Sequence, residues 1–390
     1  MDIDFKKYGI NFEYNQALQR LPDTIINSIY AVKRQGLKLI FTNQDNTTTE
    51  FTMGDKIGSG TFSNVFKIDD NTIVKVINLN RIIKEKPVDK EEYKYDIIQE
   101  AIAHIILYET TKDIREPDLI GPFVPVIYKF GMTDDYAYIV TEKLVNEVLK
   151  KLKSTQSSEF IKRSTAQLSK ILMILYNNLK FNHRDLKPDN VMYIGNPGNE
   201  NIRLIDFGLS CLTYGSLLLH AKTQLLTASK LHCNSIYRDM HSYLYYLIYG
   251  DEDLPYYKGY SGLARIINIL IMHDKGEPPR ENQEDIGWTR TYIAFNTNNS
   301  PENPRSAKNC SPEVIYNIFS NLQFQQDSIH TITNSDWTKY LINITPAIQE
   351  KLTQEEKQHI KPELRIAGGR RKTIKKSRKS KRKTHRHLRR

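Results

Sequence analysis

The apolar pattern of this 390-residue chain changes period near residue 146. Before that point short β-branched and aromatic runs dominate, at 51–57, 64–68, 72–77, 124–131 and 136–142. Their composition and turn-like borders predict strands. They are interrupted by one helical segment, 93–110, where Ile97, Ile98, Ala101, Ile102, Ile105 and Ile106 share a face. After it the spacing is helical. Leu168, Ile171, Leu172 and Leu175 line one side of 160–180, and further helices are expected at 238–249, 262–272 and 312–322. A strand-rich part with one helix, followed by a helical part, predicts an α+β chain in two lobes.

The flanks read differently. Leu18, Leu21, Ile25, Ile29 and Val32 recur near helical spacing, so a helix is expected within 15–33, then a strand at 37–42 and a polar turn at 43–49. Residues 296–311 are rich in Asn, Pro and Ser and predict a loop. Four segments follow: an N-terminal extension (1–50), a first lobe (51–145), a second lobe (146–345), and a charged linker with a basic tail expected to be disordered (346–390).

The net charge of +11 is local. Residues 370–390 hold 13 Lys or Arg and no acid, and the rest of the chain is slightly acidic. A body-wide groove tracking nucleic-acid phosphates is therefore not expected, whereas the tail is a candidate for non-specific polyanion contact or nuclear targeting. The three cysteines, Cys211, Cys233 and Cys310, form no C-x-x-C pair. No disulfide framework is expected, which points to a reducing, intracellular setting in cytoplasm or nucleus. The N-terminus lacks an apolar run after its charges, and no stretch is long enough to span a bilayer, so neither a secretory signal nor a membrane contact is expected.

Five patterns carry chemistry. Ile57-Gly58-Ser59-Gly60-Thr61-Phe62-Ser63-Asn64-Val65 places two glycines between strands, where backbone N–H groups can approach phosphates. Alone it also suits a flexible hairpin. Lys75 stands among β-branched residues on a strand, either as an edge charge or as a cation reaching toward that turn. Glu100, on the only helix of the first part, is either a solvated helix charge or the partner of Lys75. His183-Arg184-Asp185-Leu186-Lys187-Pro188-Asp189-Asn190 holds five polar positions in fixed order, and Asp206-Phe207-Gly208 follows sixteen residues later.

Together these resemble the eukaryotic-type protein kinase superfamily, over roughly residues 51–345. The resemblance implies the two-lobed protein kinase fold, with a small β-rich N-lobe holding one helix and a larger, mainly helical C-lobe. It implies ATP and Mg²⁺ as cofactors and proteins as substrates. Gly58, Ser59 and Gly60 would then cover the ATP phosphates, and Ile57 and Val65 would pack the adenine. Lys75 would hold the α- and β-phosphates, oriented by Glu100. Residues 138–144 would form the fifth strand and hinge, with Thr141 as gatekeeper and Glu142 at the nucleotide edge. Asn190 and Asp206 would bind the metal ions. Asp185 would take the substrate hydroxyl proton, with Lys187 beside the transferred phosphate. Lys187 and Pro188 resemble the serine/threonine branch. Asp239 resembles the aspartate that braces the catalytic loop, and Arg184 resembles the arginine that pairs with a phosphate on the activation segment. Thr213, Ser216, Thr223 and Thr227 are candidates for that modification.

The chain also departs from the family. No Ala-Pro-Glu follows Asp206, a feature shared with the casein kinase 1 and vaccinia-related groups. Ile73 stands where an alanine is expected, and Ser63 where a third glycine is. A pseudokinase scaffold and a small-molecule kinase are the alternative readings. The basic tail resembles tails on proteins of giant DNA viruses, which would place the protein in a host cell or virion. Oligomeric state is not legible.

Overall fold

The computed structural model describes residues 3–60, 62–81, 89–144, 146–148, 158–196, 198–220, 236–249 and 310–321. The helix expected at 262–272, most of the loop at 296–311 and everything from residue 322 onward lie outside them, as do Thr223, Thr227 and Cys233.

Two antiparallel sheets build the first part. β1 (Val32–Gln35), β2 (Lys38–Thr42) and β3 (Thr48–Thr52) form a meander. β4 (Lys56–Ser59), β5 (Ser63–Lys67) and β6 (Thr72–Asn78) continue into a five-stranded sheet. After α1 (Lys90–Thr111) and a two-residue pair, β7 (Arg115–Glu116) with β8 (Leu119–Ile120), come β9 (Ile127–Met132) and β10 (Tyr136–Glu142). The strand order is β4-β5-β6-β10-β9.

Alternation decides what each face of this sheet meets. Val74 and Val76 of β6, with Tyr138 and Val140 of β10, pack on Val32, Leu39 and Phe41 of the meander. The other face presents Ile77, Ala137 and Ile139 to the apolar side of α1. Lys75 falls between Val74 and Val76, so the strand period turns it toward α1. Asp89 caps α1, accepting from Glu91 N–H at 3.0 Å.

The helix expected within 15–33 is absent. A short 3-10 helix, Asp23–Ser28, and the start of β1 occupy its place. Pro22 explains this, because it fixes its own φ and disfavours the helical region for Leu21. Leu21 and Ile25 are buried against the α1 core rather than forming a stripe on one helix. The single strand expected at 51–57 is two. At Met53 and Gly54 the chain passes from one sheet to the other, with Met53 N–H donating to Leu37 and Gly54 N–H donating to Lys67. The expected boundary at 50/51 thus falls inside β3. Phe5, Tyr8 and Ile10 lie in the same core as α1.

The second part holds β11 (Asn146–Glu147), α2 (Ser158–Leu179), β12 (Val191–Ile194) and β13 (Asn201–Leu204). These are followed by the hairpin β14 (Cys211–Tyr214) with β15 (Leu217–His220), then α3 (Arg238–Tyr249) and α4 (Pro312–Asn321). Leu168, Ile171, Leu172 and Leu175 of α2 are buried with Ile315, Ile318 and Phe319 of α4, as their spacing predicts. The β-rich first part and helical second part agree with a two-lobed kinase fold. Cys211 is buried and disulfide-bonded, which the spacing of the cysteines did not predict. No helix among the described residues is long and apolar enough to cross a membrane.

Candidate active site

Lys75 Nζ lies 2.8 Å from Glu100 Oε1 and 2.9 Å from Asp206 Oδ1. Three elements meet here: β6 brings the lysine, α1 the glutamate, and the loop after β13 the aspartate. Burial alone would lower the lysine's pKa, but the carboxylates of Asp206 and Glu100 outweigh it and raise it. Lys75 in turn holds the Asp206 carboxyl below its ordinary range. Burial pushes Glu100 upward against the pull of the lysine. Gly208 leaves room for this arrangement, since a Cβ there would meet Glu100 Oε2 at 3.2 Å.

The catalytic-loop residues are fixed from below. Asp239, at the start of α3, accepts from His183 N–H at 2.7 Å and Arg184 N–H at 2.8 Å. His183 Nε2 sits 2.9 Å from the Ile205 carbonyl oxygen, tying the loop to the residue before Asp206. Arg184 and Asp206 both adopt positive φ, 70° and 66°. Non-glycine residues pay for that backbone only where the surroundings enforce it, and such residues cluster at functional sites.

Asn190 donates from Nδ2 to the Asp185 carbonyl at 2.7 Å and to Asp185 Oδ2 at 3.1 Å. Burial raises the Asp185 carboxyl, while the charge of Lys187 and the bond from Asn190 oppose that rise. The positive charge of Lys187 acts on Asp206 as well, lowering it. With the amide nitrogen of Asn190 engaged, its oxygen is the donor it can offer a cation. An amide oxygen and a carboxylate held ionised by Lys75 are hard donors that suit Mg²⁺.

Gly58 pairs with Val65 across β4 and β5, and a Cβ on Gly58 would sit 3.5 Å from the Val65 Cβ. Gly60 N–H donates to the Ser63 carbonyl at 2.9 Å, and Ser59 is paired with Asn64. Ile57 is 49% exposed. Thr141 is buried on β10. Glu142 ends β10, where its Oε2 accepts from Val126 N–H at 3.2 Å and its own N–H donates to the Val126 carbonyl.

Some participants had no sequence signal. His104 of α1 stacks near Phe207 at 5.1 Å, and Phe207 lies 5.7 Å from His183. Burial pushes His104 down to about 4. Gln99, beside Glu100, bonds to the backbone of His220.

Residues 51–228 match the family model described as "Protein kinase domain". Cyclin-dependent kinase G1 of Arabidopsis thaliana is 27% identical over 44% of this chain and 26% of its own length. Calcium-dependent protein kinase 4 of Solanum tuberosum is 24% identical over 41% of this chain and 27% of its length. Cyclin-dependent kinase 1 of Encephalitozoon cuniculi (strain GB-M1) is 27% identical over 42% of this chain and 51% of its length. The chain thus spans between a quarter and a half of the curated relatives it matches. The site geometry and these similarities agree, and residues 51–228 are similar to the eukaryotic-type protein kinase superfamily.

Proposed function

We propose that the protein transfers the γ-phosphoryl group of ATP to serine and threonine hydroxyls of protein substrates. The observation that carries this reading is the pairing of Lys75 with both Glu100 and Asp206. Phosphoryl transfer is largely positioning and charge neutralisation. In this reading Lys75 meets the α- and β-phosphates, the backbone of Gly58, Ser59 and Gly60 covers them, and Ile57 and Val65 pack the adenine. Asp206 and Asn190 hold Mg²⁺, which neutralises phosphate charge. Asp185 orients the attacking hydroxyl and takes its proton, with Lys187 beside the transferred group. Glu142 stands at the nucleotide edge, at the end of the strand that carries Thr141.

The serine/threonine assignment rests on Lys187-Pro188 and on the names of the relatives. Contact of the tail with polyanions and an intracellular location belong to the same proposal.

The test uses γ-labelled ATP, Mg²⁺ and generic acceptors such as casein, histone and myelin basic protein. Phosphoserine or phosphothreonine should form, and Asp185→Ala should cut the rate on the order of 10³-fold or more. ATP binding without transfer to any acceptor would favour the scaffold reading. Transfer only to a small-molecule hydroxyl would favour the other alternative.

A further inference from the structure

The N-terminal segment reaches the active site through a chain of contacts that none of the family motifs includes. Tyr14 lies edge-on to Tyr214 of β14, with ring centroids 4.9 Å apart. Its hydroxyl accepts from Ser216 N–H at 3.0 Å. Ser216 Oγ donates to the Leu18 carbonyl at 2.9 Å and also bonds with that of Gln16. Leu218 N–H donates to the Gln19 carbonyl at 2.8 Å. The β14–β15 hairpin is thereby laced along its turn and second strand to residues 14–19.

The turn is shaped for this. Tyr214 pairs with Leu217, leaving Gly215 and Ser216 as a two-residue loop. Gly215 has a φ of 58°, and glycine at the first central position suits the right-handed twist of a hairpin. A Cβ there would come within 2.0 Å of the Tyr14 hydroxyl. The far strand then meets α1. The Gln99 amide nitrogen donates to the His220 carbonyl, and its oxygen accepts from His220 N–H at 2.8 Å. Four residues earlier on the same helix, Tyr95 donates to the Leu21 carbonyl at 2.9 Å. At the helix's other end Tyr8 donates to Glu109. At its base, the hairpin is tied to the catalytic loop by reciprocal Asn182–Cys211 backbone bonds of 2.9 Å.

We propose that Gln99 is a positioning residue for Glu100, and that residues 14–21 act as an intramolecular strap that holds the hairpin on which Gln99 depends. Gln99 adjoins Glu100, so the two-way bond to His220 sets both the rotation and the height of the helix at the point where Lys75 must be met. The chain supplies from its own N-terminus the brace that keeps the Lys75–Glu100 pair closed. This rests on the phosphoryl-transfer reading for its consequence in turnover, but not for the position of α1.

The test uses the full chain, with amide hydrogen exchange of residues 97–101 and steady-state transfer from ATP read side by side. Gln99→Ala should speed exchange there at least tenfold, raise KM for ATP, and lower kcat/KM tenfold or more. Gln99→Glu, which keeps only the acceptor, should fall between. If Gln99→Ala fails to fold, the pair Tyr14→Phe with Ser216→Ala decides, because it removes the strap's side-chain hydrogen bonds and keeps the Tyr14 ring that packs on the core. Ser216→Thr keeps the hydroxyl and should behave as the unmodified protein. Unchanged exchange and unchanged KM in Gln99→Ala, or in the strap pair, would overturn the proposal. Absence of any transfer by the unmodified protein would defeat the enzymatic reading, and the exchange measurement would still decide the role of Gln99.

Discussion

Asp185 must be ionised to take a proton, yet burial raises its pKa and only Lys187, His183 and the Asn190 bond oppose this. Removing the positive charge in Lys187→Gln therefore moves the Asp185 pKa further up. The acid limb of the kcat/KM profile should shift to higher pH, and kcat should fall at every pH. A limb that stays in place would show that Asp185 does not govern it. His104 gives a second test, on stability. Its folded pKa of about 4 lies below the unfolded value of ~6.5. Between these values the unfolded chain binds a proton that the folded one excludes. The contribution is complete above ~6.5 and is lost as pH falls toward 4. His104→Gln should flatten the pH dependence of urea unfolding across that window, by up to about 3 kcal/mol.

At the scale of elements, the five-stranded sheet has one face on α1 and the other on the β1–β3 meander. Phe41 is almost fully buried between the sheets, and Gly131 of β9 lies so near that a Cβ there would come within 2.9 Å of its ring. Phe41→Ala should cost about 3–5 kcal/mol, the range for an aromatic truncated in a core. The loss should appear as a shift of the transition that also unfolds α1, followed by helical circular dichroism. A separate early transition, leaving α1 intact, would show that the meander is an independent layer. α1 was legible because its apolar face recurs over about three turns, from Ile97 to Ile106. The helix expected at 15–33 was not real, because spacing alone does not register that Pro22 divides the segment and that its apolar residues are buried by another element.

For the whole molecule, charge and fold are separable. The 13 basic residues at 370–390 account for more than the entire net charge. Deleting 368–390 should abolish retention on heparin at low salt while leaving transfer to a neutral acceptor unchanged. Retention of the full chain should fall steeply with salt, as expected when counterions are released from a polyanion. Retention that survives the deletion would place the polyanion surface on the folded body.

The sequence by itself carried the protein kinase resemblance, the order of the two parts and the choice of Lys75, Glu100, Asp185, Asn190 and Asp206 as candidates. Short motifs record local chemistry, and apolar periods record which face of an element is buried. It also named Asp239, whose two backbone contacts the structure confirms. Only the tertiary structure brought His104 against Phe207, Gln99 against His220 and Tyr14 against Ser216. Their partners lie up to 202 residues away along the chain, and no spacing pattern encodes such a distance. The positive φ of Arg184 and Asp206 is likewise a property of the enforced backbone, which arises when packing on Asp239 and Lys75 outweighs local preference.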